Sequence, residues 1–274
     1  MSTPVFRIEI PPLKTSPTTS LQHCKRSSTS RATGSTPYKS AKPRQVASSI
    51  VKTKETLQVS ELFYSIQGES SYAGYPCLFI RLAGCNLRCS YCDARYTYDE
   101  KGRRMTIAEI LAFIEESPVS LVEITGGEPL LQKNVYALMQ ALLDDERIVL
   151  LETNGSIDLR QVPDEVVKIM DIKCPGSGMD HHNHLANLQY LTSTDEVKFV
   201  LGSRQDYLWA VDFLKRNIIT PFPSSRQRPK ILFSPVTSEL SPTELAGWIL
   251  MDRLPIRLQL QLHTLLWPGE TRGV

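Results

Sequence analysis

Nowhere do these 274 residues reach a run of about 20 consecutive apolar side chains, so no segment reads as a membrane span. The start lacks the apolar stretch of a secretory signal. Cysteine is scarce, with six in the whole chain, at positions 24, 77, 85, 89, 92 and 174. A chain of this length can bury a full core and has no need of a disulfide framework. Three of the six crowd into "RLAGCNLRCSYCD", residues 81–93, which reads as metal chemistry in a reducing, cytoplasmic compartment.

Charge is unevenly spread. Residues 1–54 hold ten Lys/Arg and one acid, Glu9, so the remaining 220 residues sum to −7 within a net +2. A mildly acidic domain is a poor nucleic-acid surface. The first 54 residues also contain 18 Ser/Thr and few large apolar side chains. Such a segment cannot offset its ordering entropy and is expected to be a disordered basic tail, with the domain running over 55–274. Readings of it include a transit-type presequence, a basic interaction arm, and translation starting near Val51.

Apolar, β-rich runs recur at 57–64, 77–83, 119–125, 147–152, 166–173, 196–201, 230–236 and 256–263. Helical patterns lie between many of them. "TIAEILAFIEES" opens with Thr106 and Glu109 in capping-box spacing and sets Ile107, Ile110, Leu111 and Ile114 on one face. "NVYALMQALLDD", "QDYLWAVDFLKRN" and "SPTELAGWILMD" read likewise. The alternation predicts an α/β fold with mostly parallel strands, and about six units fit a partial (β/α)6-type barrel better than a closed eightfold one. Five strand ends carry polar, Gly or Cys punctuation: the cysteine loop, "TGGEP" (125–129), "ETNG" (152–155), "DIKCPGSG" (171–178) and "SPV" (234–236). In parallel barrels the active site is built at that end.

The spacing Cys85-x3-Cys89-x2-Cys92 offers three ligands where zinc wants four. Cys174 is the one plausible fourth, but it sits far along the barrel order. His181, His182 and His184 lie in a polar loop. Three thiolates on a [4Fe–4S] cluster would leave one iron open. This spacing, followed by Gly-Gly-Glu-Pro after the next strand, resembles the radical S-adenosylmethionine enzymes. Their open iron is chelated by the amino and carboxylate groups of S-adenosylmethionine. In "TGGEP", Gly126 and Gly127 permit close backbone approach, and Glu128 suits the methionyl ammonium. Asn154, Asp171, Lys173 and Ser234 are positioned to contact the rest of that cofactor. The resemblance adds Tyr91, Asp93 and Ile172 to the same set.

Seven stretches narrow the resemblance. "YSIQGES", "PCLFIRLAGCNLRCSYCD", "EITGGEPLLQ", "LLETNG", "DIKCPGSGM", "DEVKFVL" and the closing "LQLHTLLWPGETRGV" resemble the 7-carboxy-7-deazaguanine synthase family from about residue 57 onward. The resemblance implies 6-carboxy-5,6,7,8-tetrahydropterin as substrate and a magnesium ion beside it. It also implies ammonia as co-product, a homodimer and a flavodoxin-like electron donor. Arg81 could clamp the substrate carboxylate bidentately. Gln67 and Glu69, with Ile66 and Gly68 beside them, suit a pterin edge, and Thr125 and His263 face the same pocket, His263 from near the end of the last strand. Where the family commonly carries Thr as a magnesium ligand, this chain has Ala94, so the side-chain ligand is absent. Two alternatives stay open: a glycyl-radical enzyme activase, whose cluster loop has the same spacing, and a zinc-stapled binding module.

Overall fold

The computed structural model describes residues 55–219 and 228–274. The expected tail, 1–54, lies outside the described residues. Among the described residues nine strands form one sheet in the order β3-β1-β2-β4-β5-β6-β7-β8-β9. Strands β1 (Thr56–Ile66) and β2 (Pro76–Leu82) pair antiparallel, and β3 (Arg103–Thr106) pairs antiparallel with the start of β1. From β2 onward every pairing is parallel, through β4 (Leu121–Gly126), β5 (Ile148–Thr153), β6 (Val167–Ile172), β7 (Glu196–Leu201), β8 (Lys230–Pro235) and β9 (Arg257–Leu258). This is the expected open, mostly parallel sheet.

The period of two sorts each strand into two faces. One face, with Leu78, Ile80, Val122, Ile124, Val149, Leu151, Met170, Val197 and Phe199, is buried in the main core with the apolar stripes of the helices. The other carries Cys77, Phe79, Leu121, Leu150, Val167 and Ile169 in a smaller inner core. Further along the same inner face come Arg81, Thr125, Glu152, Asp171 and Lys198. The inner face thus turns from apolar to polar toward the C-terminal strand ends.

The helices follow their caps. In α2 (Ile107–Glu115) the Thr106–Glu109 capping box forms in both directions, and Ile107, Ile110 and Ile114 are buried. After α1 (Tyr96–Asp99) and α2 come α3 (Val135–Asp144), α4 (Arg204–Leu214), capped by Ser203, and α5 (Pro242–Met251), capped by Ser241. Among the described residues no helix is long and apolar enough to cross a membrane.

Two elements differ from the sequence expectation. Strand β3 is only four residues long with Met105 alone buried, so its pattern is too short to read. The run 256–263 yields a two-residue strand. Beyond it the Gln259 N–H still donates to Phe233 O at 2.8 Å, but β8 ends at Pro235, which has no N–H to give. The Leu262 N–H then donates to Gly68 O at 3.0 Å, drawing the chain across to the end of β1. His263 therefore sits in a short helix, α6 (Leu262–Leu266), and not at a strand end.

Candidate active site

A cavity of about 670 Å³ opens at the C-terminal strand ends. The cysteine loop forms one wall, and Cys85, Cys89 and Cys92 all line it, each half-buried. The Leu87 N–H donates to Cys85 Sγ at 3.4 Å, and Asn154 Nδ2 lies 3.8 Å from the same sulfur. Arg88 braces the loop from outside, donating to the carbonyls of Cys85 and Leu87 at 2.9 and 2.7 Å. Burial pushes the Cys89 and Cys92 thiols up. Cys77 and Cys174 are fully buried in the two cores and do not line the cavity. Three thiols on one wall, one of them already receiving N–H donors at sulfur, fit a cluster held by three thiolates. Among the described residues no three His, Cys, Asp or Glu side chains gather tightly enough to hold a single metal ion.

The Gly-Gly turn packs directly on that loop. The Gly127 N–H donates to Leu82 O at 3.2 Å, and the Glu128 N–H donates to Gly84 O at 2.8 Å. Gly126 has φ +153°, and a Cβ on Gly127 would stand 2.2 Å from Gly84 O. No side chain fits at either position. Glu128 turns away from the cavity and is fully buried. Its carboxylate accepts from the N–H groups of Leu130 (3.0 Å) and Asn154 (2.7 Å) and from the Thr153 hydroxyl at 2.9 Å. Burial nevertheless lifts its carboxyl to about 7.

Tyr91, Asp93, Ala94, Gly126, Gly127, Asn154, Asp171 and Lys173 line the cavity; Ile172 and Ser234 do not. Ile172 belongs to the main core, and the Ser234 hydroxyl is buried with no hydrogen-bond partner among the described residues. Asp171 pairs with Lys173 at 2.6 Å.

Ile66, Gln67, Gly68, Glu69, Arg81, Thr125 and His263 share the cavity with the cysteines. Arg81 Nε lies 3.4 Å from Glu61, which also accepts from the Tyr96 hydroxyl at 3.2 Å. Gln67 is fixed at both ends, accepting from the Glu69 N–H at 2.9 Å and donating to Glu123. A Cβ on Gly68 would stand 2.8 Å from His263 Nδ1, so the glycine lets α6 close on this edge.

Three charged residues complete this half of the site without having been anticipated: Glu123, Glu152 and Lys198. Lys198 Nζ lies 2.8 Å from Glu69 and 3.3 Å from Asp171 and contacts Glu152, which also accepts from the Thr125 hydroxyl at 2.8 Å. Burial alone would raise the Glu152 carboxyl, but Lys198, Thr125 and Arg81 together bring it down to about 2. Glu123 goes the other way, pushed well up by burial and by the neighbouring Glu152 charge. Burial opposes the charge on Lys198, yet Asp171, Glu152 and Glu69 hold it well above the ordinary lysine value. The available signal was a charged residue inside an apolar strand run, as in "LVEIT", "LLET" and "EVKFV".

The sequence model of the Radical SAM superfamily matches residues 79–175, from β2 through the turn after β6. Fold and site define a radical S-adenosylmethionine enzyme. The 7-carboxy-7-deazaguanine synthase of Chlorobaculum tepidum is 45% identical over 227 residues, covering 82% of this chain and 100% of the relative. That of Koribacter versatilis is 43% identical over 232 residues, covering 80% and 100%. The crystal structure of QueE from Escherichia coli has a TM-score of 0.62 at 23% identity, covering 75% of this chain and 94% of that one, and shares the fold. The chain belongs to the 7-carboxy-7-deazaguanine synthase family, which sets aside both the activase and the zinc-module alternatives.

Proposed function

We propose that this cavity converts 6-carboxy-5,6,7,8-tetrahydropterin to 7-carboxy-7-deazaguanine with loss of ammonia, in 7-deazapurine biosynthesis such as that of queuosine. The observation that carries the reading is a single cavity lined both by three thiols and by Arg81, Gln67, Glu69 and Glu152. Cys85, Cys89 and Cys92 would hold the [4Fe–4S] cluster, which together with S-adenosylmethionine supplies the one-electron chemistry that removes a substrate hydrogen atom.

The chain's own residues then bind and orient. Arg81, braced by Glu61, presents a planar guanidinium to the substrate carboxylate. Glu69 and Glu152 offer carboxyl oxygens suited to N–H donors of a pterin, and Thr125 holds Glu152 in place. Gln67 and Gly68 form the edge on which the ring lies, with His263 closing above. On the cofactor side, Gly126 and Gly127 give backbone access, and Asn154 and the Asp171–Lys173 pair offer polar contacts.

Magnesium belongs to the same reading. The Ala94 carbonyl already accepts from the Thr97 hydroxyl at 2.7 Å and the Thr97 N–H at 3.0 Å. Waters and substrate oxygens are then the better candidates to fill the octahedron this ion prefers. A flavodoxin-like reductant and a homodimer complete the proposal.

One anaerobic assay tests it. Cluster-loaded protein, S-adenosylmethionine, a strong reductant and the pterin should give a deazapurine identified by ultraviolet absorbance and mass. A loaded cluster that cleaves S-adenosylmethionine yet yields no deazapurine would remove the substrate assignment.

A further inference from the structure

Three carboxylates from three separate elements share one ammonium. Glu69 follows β1, Glu152 lies near the end of β5, and Asp171 lies near the end of β6; Lys198 reaches all three from β7. Its side chain is 4% exposed, so these interactions are little screened by water. An ammonium has three N–H donors. Two are committed, to Glu69 at 2.8 Å and to Glu152. Asp171 Oδ1 stands 3.3 Å away and is buried, with no hydrogen-bond partner among the described residues. Its other oxygen is held by Lys173 at 2.6 Å.

The ends of this cluster meet different neighbours. Glu152 accepts from Thr125, and the charges of Glu69, Glu152 and Arg81 all act on Glu123, which accepts from Gln67. Asp171 and Lys173 instead act on Cys89. The ammonium's two hydrogen bonds go to the first pair, and a buried carboxylate oxygen without a donor is costly. New N–H donors reaching Glu69 or Glu152 would weaken their hold on Lys198 and let it close on Asp171.

The geometry points to Lys198 as a positioning residue that couples the two halves: pterin N–H groups engage Glu69 and Glu152, the ammonium settles on Asp171, and S-adenosylmethionine binds more tightly. This rests on the substrate reading above. Any such coupling is reciprocal, so the pterin must also bind more tightly when S-adenosylmethionine is present.

The test is a binding measurement on anaerobic, cluster-loaded protein without reductant, so that nothing turns over. The dissociation constant of S-adenosylmethionine is measured with and without saturating 6-carboxytetrahydropterin. In wild type the pterin should lower it at least about fivefold. In Lys198→Met the ratio should fall to about one, and Lys198→Arg, which keeps the charge, should retain part of it. Asp171→Asn removes the far end of the bridge and should also abolish the ratio; it decides the matter if Lys198→Met does not fold. A wild-type ratio of one, or a full ratio in either Lys198→Met or Asp171→Asn, overturns the inference. Wild type that binds S-adenosylmethionine but no pterin overturns the substrate reading instead, and this inference with it.

Discussion

The main-chain N–H of Asn154 donates to Glu128 Oε2 at 2.7 Å, tying the turn after β4 to the turn after β5. Glu128 is therefore a structural acceptor at the seam of two site loops. Glu128→Gln places an amide among groups that already donate, and should cost about 1–3 kcal/mol. The folded state holds the Glu128 proton up to about 7, whereas an unperturbed carboxyl releases it near 4.5. The stability this contributes is complete below 4.5 and is lost as pH rises through 7. Denaturant unfolding at pH 5 and pH 8 should show a downward slope in wild type that is absent in the variant.

The cysteines divide cleanly. Cys85→Ala, Cys89→Ala and Cys92→Ala should each fail to retain the cluster, whereas Cys77→Ala and Cys174→Ala should keep about four irons per chain. Iron analysis and visible absorbance after anaerobic reconstitution read the difference. A Cys89 variant with full iron would contradict the three-ligand wall.

Arg81→Lys keeps the charge but loses the planar fork that Glu61 braces. Pterin binding should weaken by about tenfold or more, the loss of a charge-assisted hydrogen bond. Reductive cleavage of S-adenosylmethionine without pterin should continue at the wild-type rate. Parallel loss of both would assign Arg81 to the cofactor or to the fold.

Position 94 sets the response to magnesium. Ala94→Thr adds an oxygen donor on the cavity wall, and should lower the magnesium concentration giving half-maximal turnover by several-fold after chelator treatment. Superimposable titrations for the two forms would mean that this side chain does not face the ion.

The features legible in the sequence were those whose chemistry leaves a local trace. Three closely spaced cysteines with no fourth partner, two glycines after a strand, and polar punctuation at successive strand ends each survive without knowledge of the fold. Lys198, Glu123 and Glu152 did not stand out, because a single charge within an apolar strand run looks like ordinary outward-facing polarity until the strand is known to be buried on both faces. Only the lateral order of the strands sets these side chains on one face and assembles carboxylates from different elements around one ammonium. Glu128 and His263 show the opposite case. Both sit in motifs that mark the site, yet the side chain of one faces the protein interior, and the other rides on a helix whose start is set by a hydrogen bond to Gly68, 194 positions before Leu262.

The joint between the Gly-Gly turn and the cysteine loop is made of main chain on both sides. Its spacing is therefore independent of which side chains surround it, and neither partner can be re-cut alone. Anyone transplanting this cysteine loop into another barrel would have to carry residues 82–93 and 125–129 together, as one graft, and find a host whose neighbouring strands hold the same register as Leu82 beside Gly126.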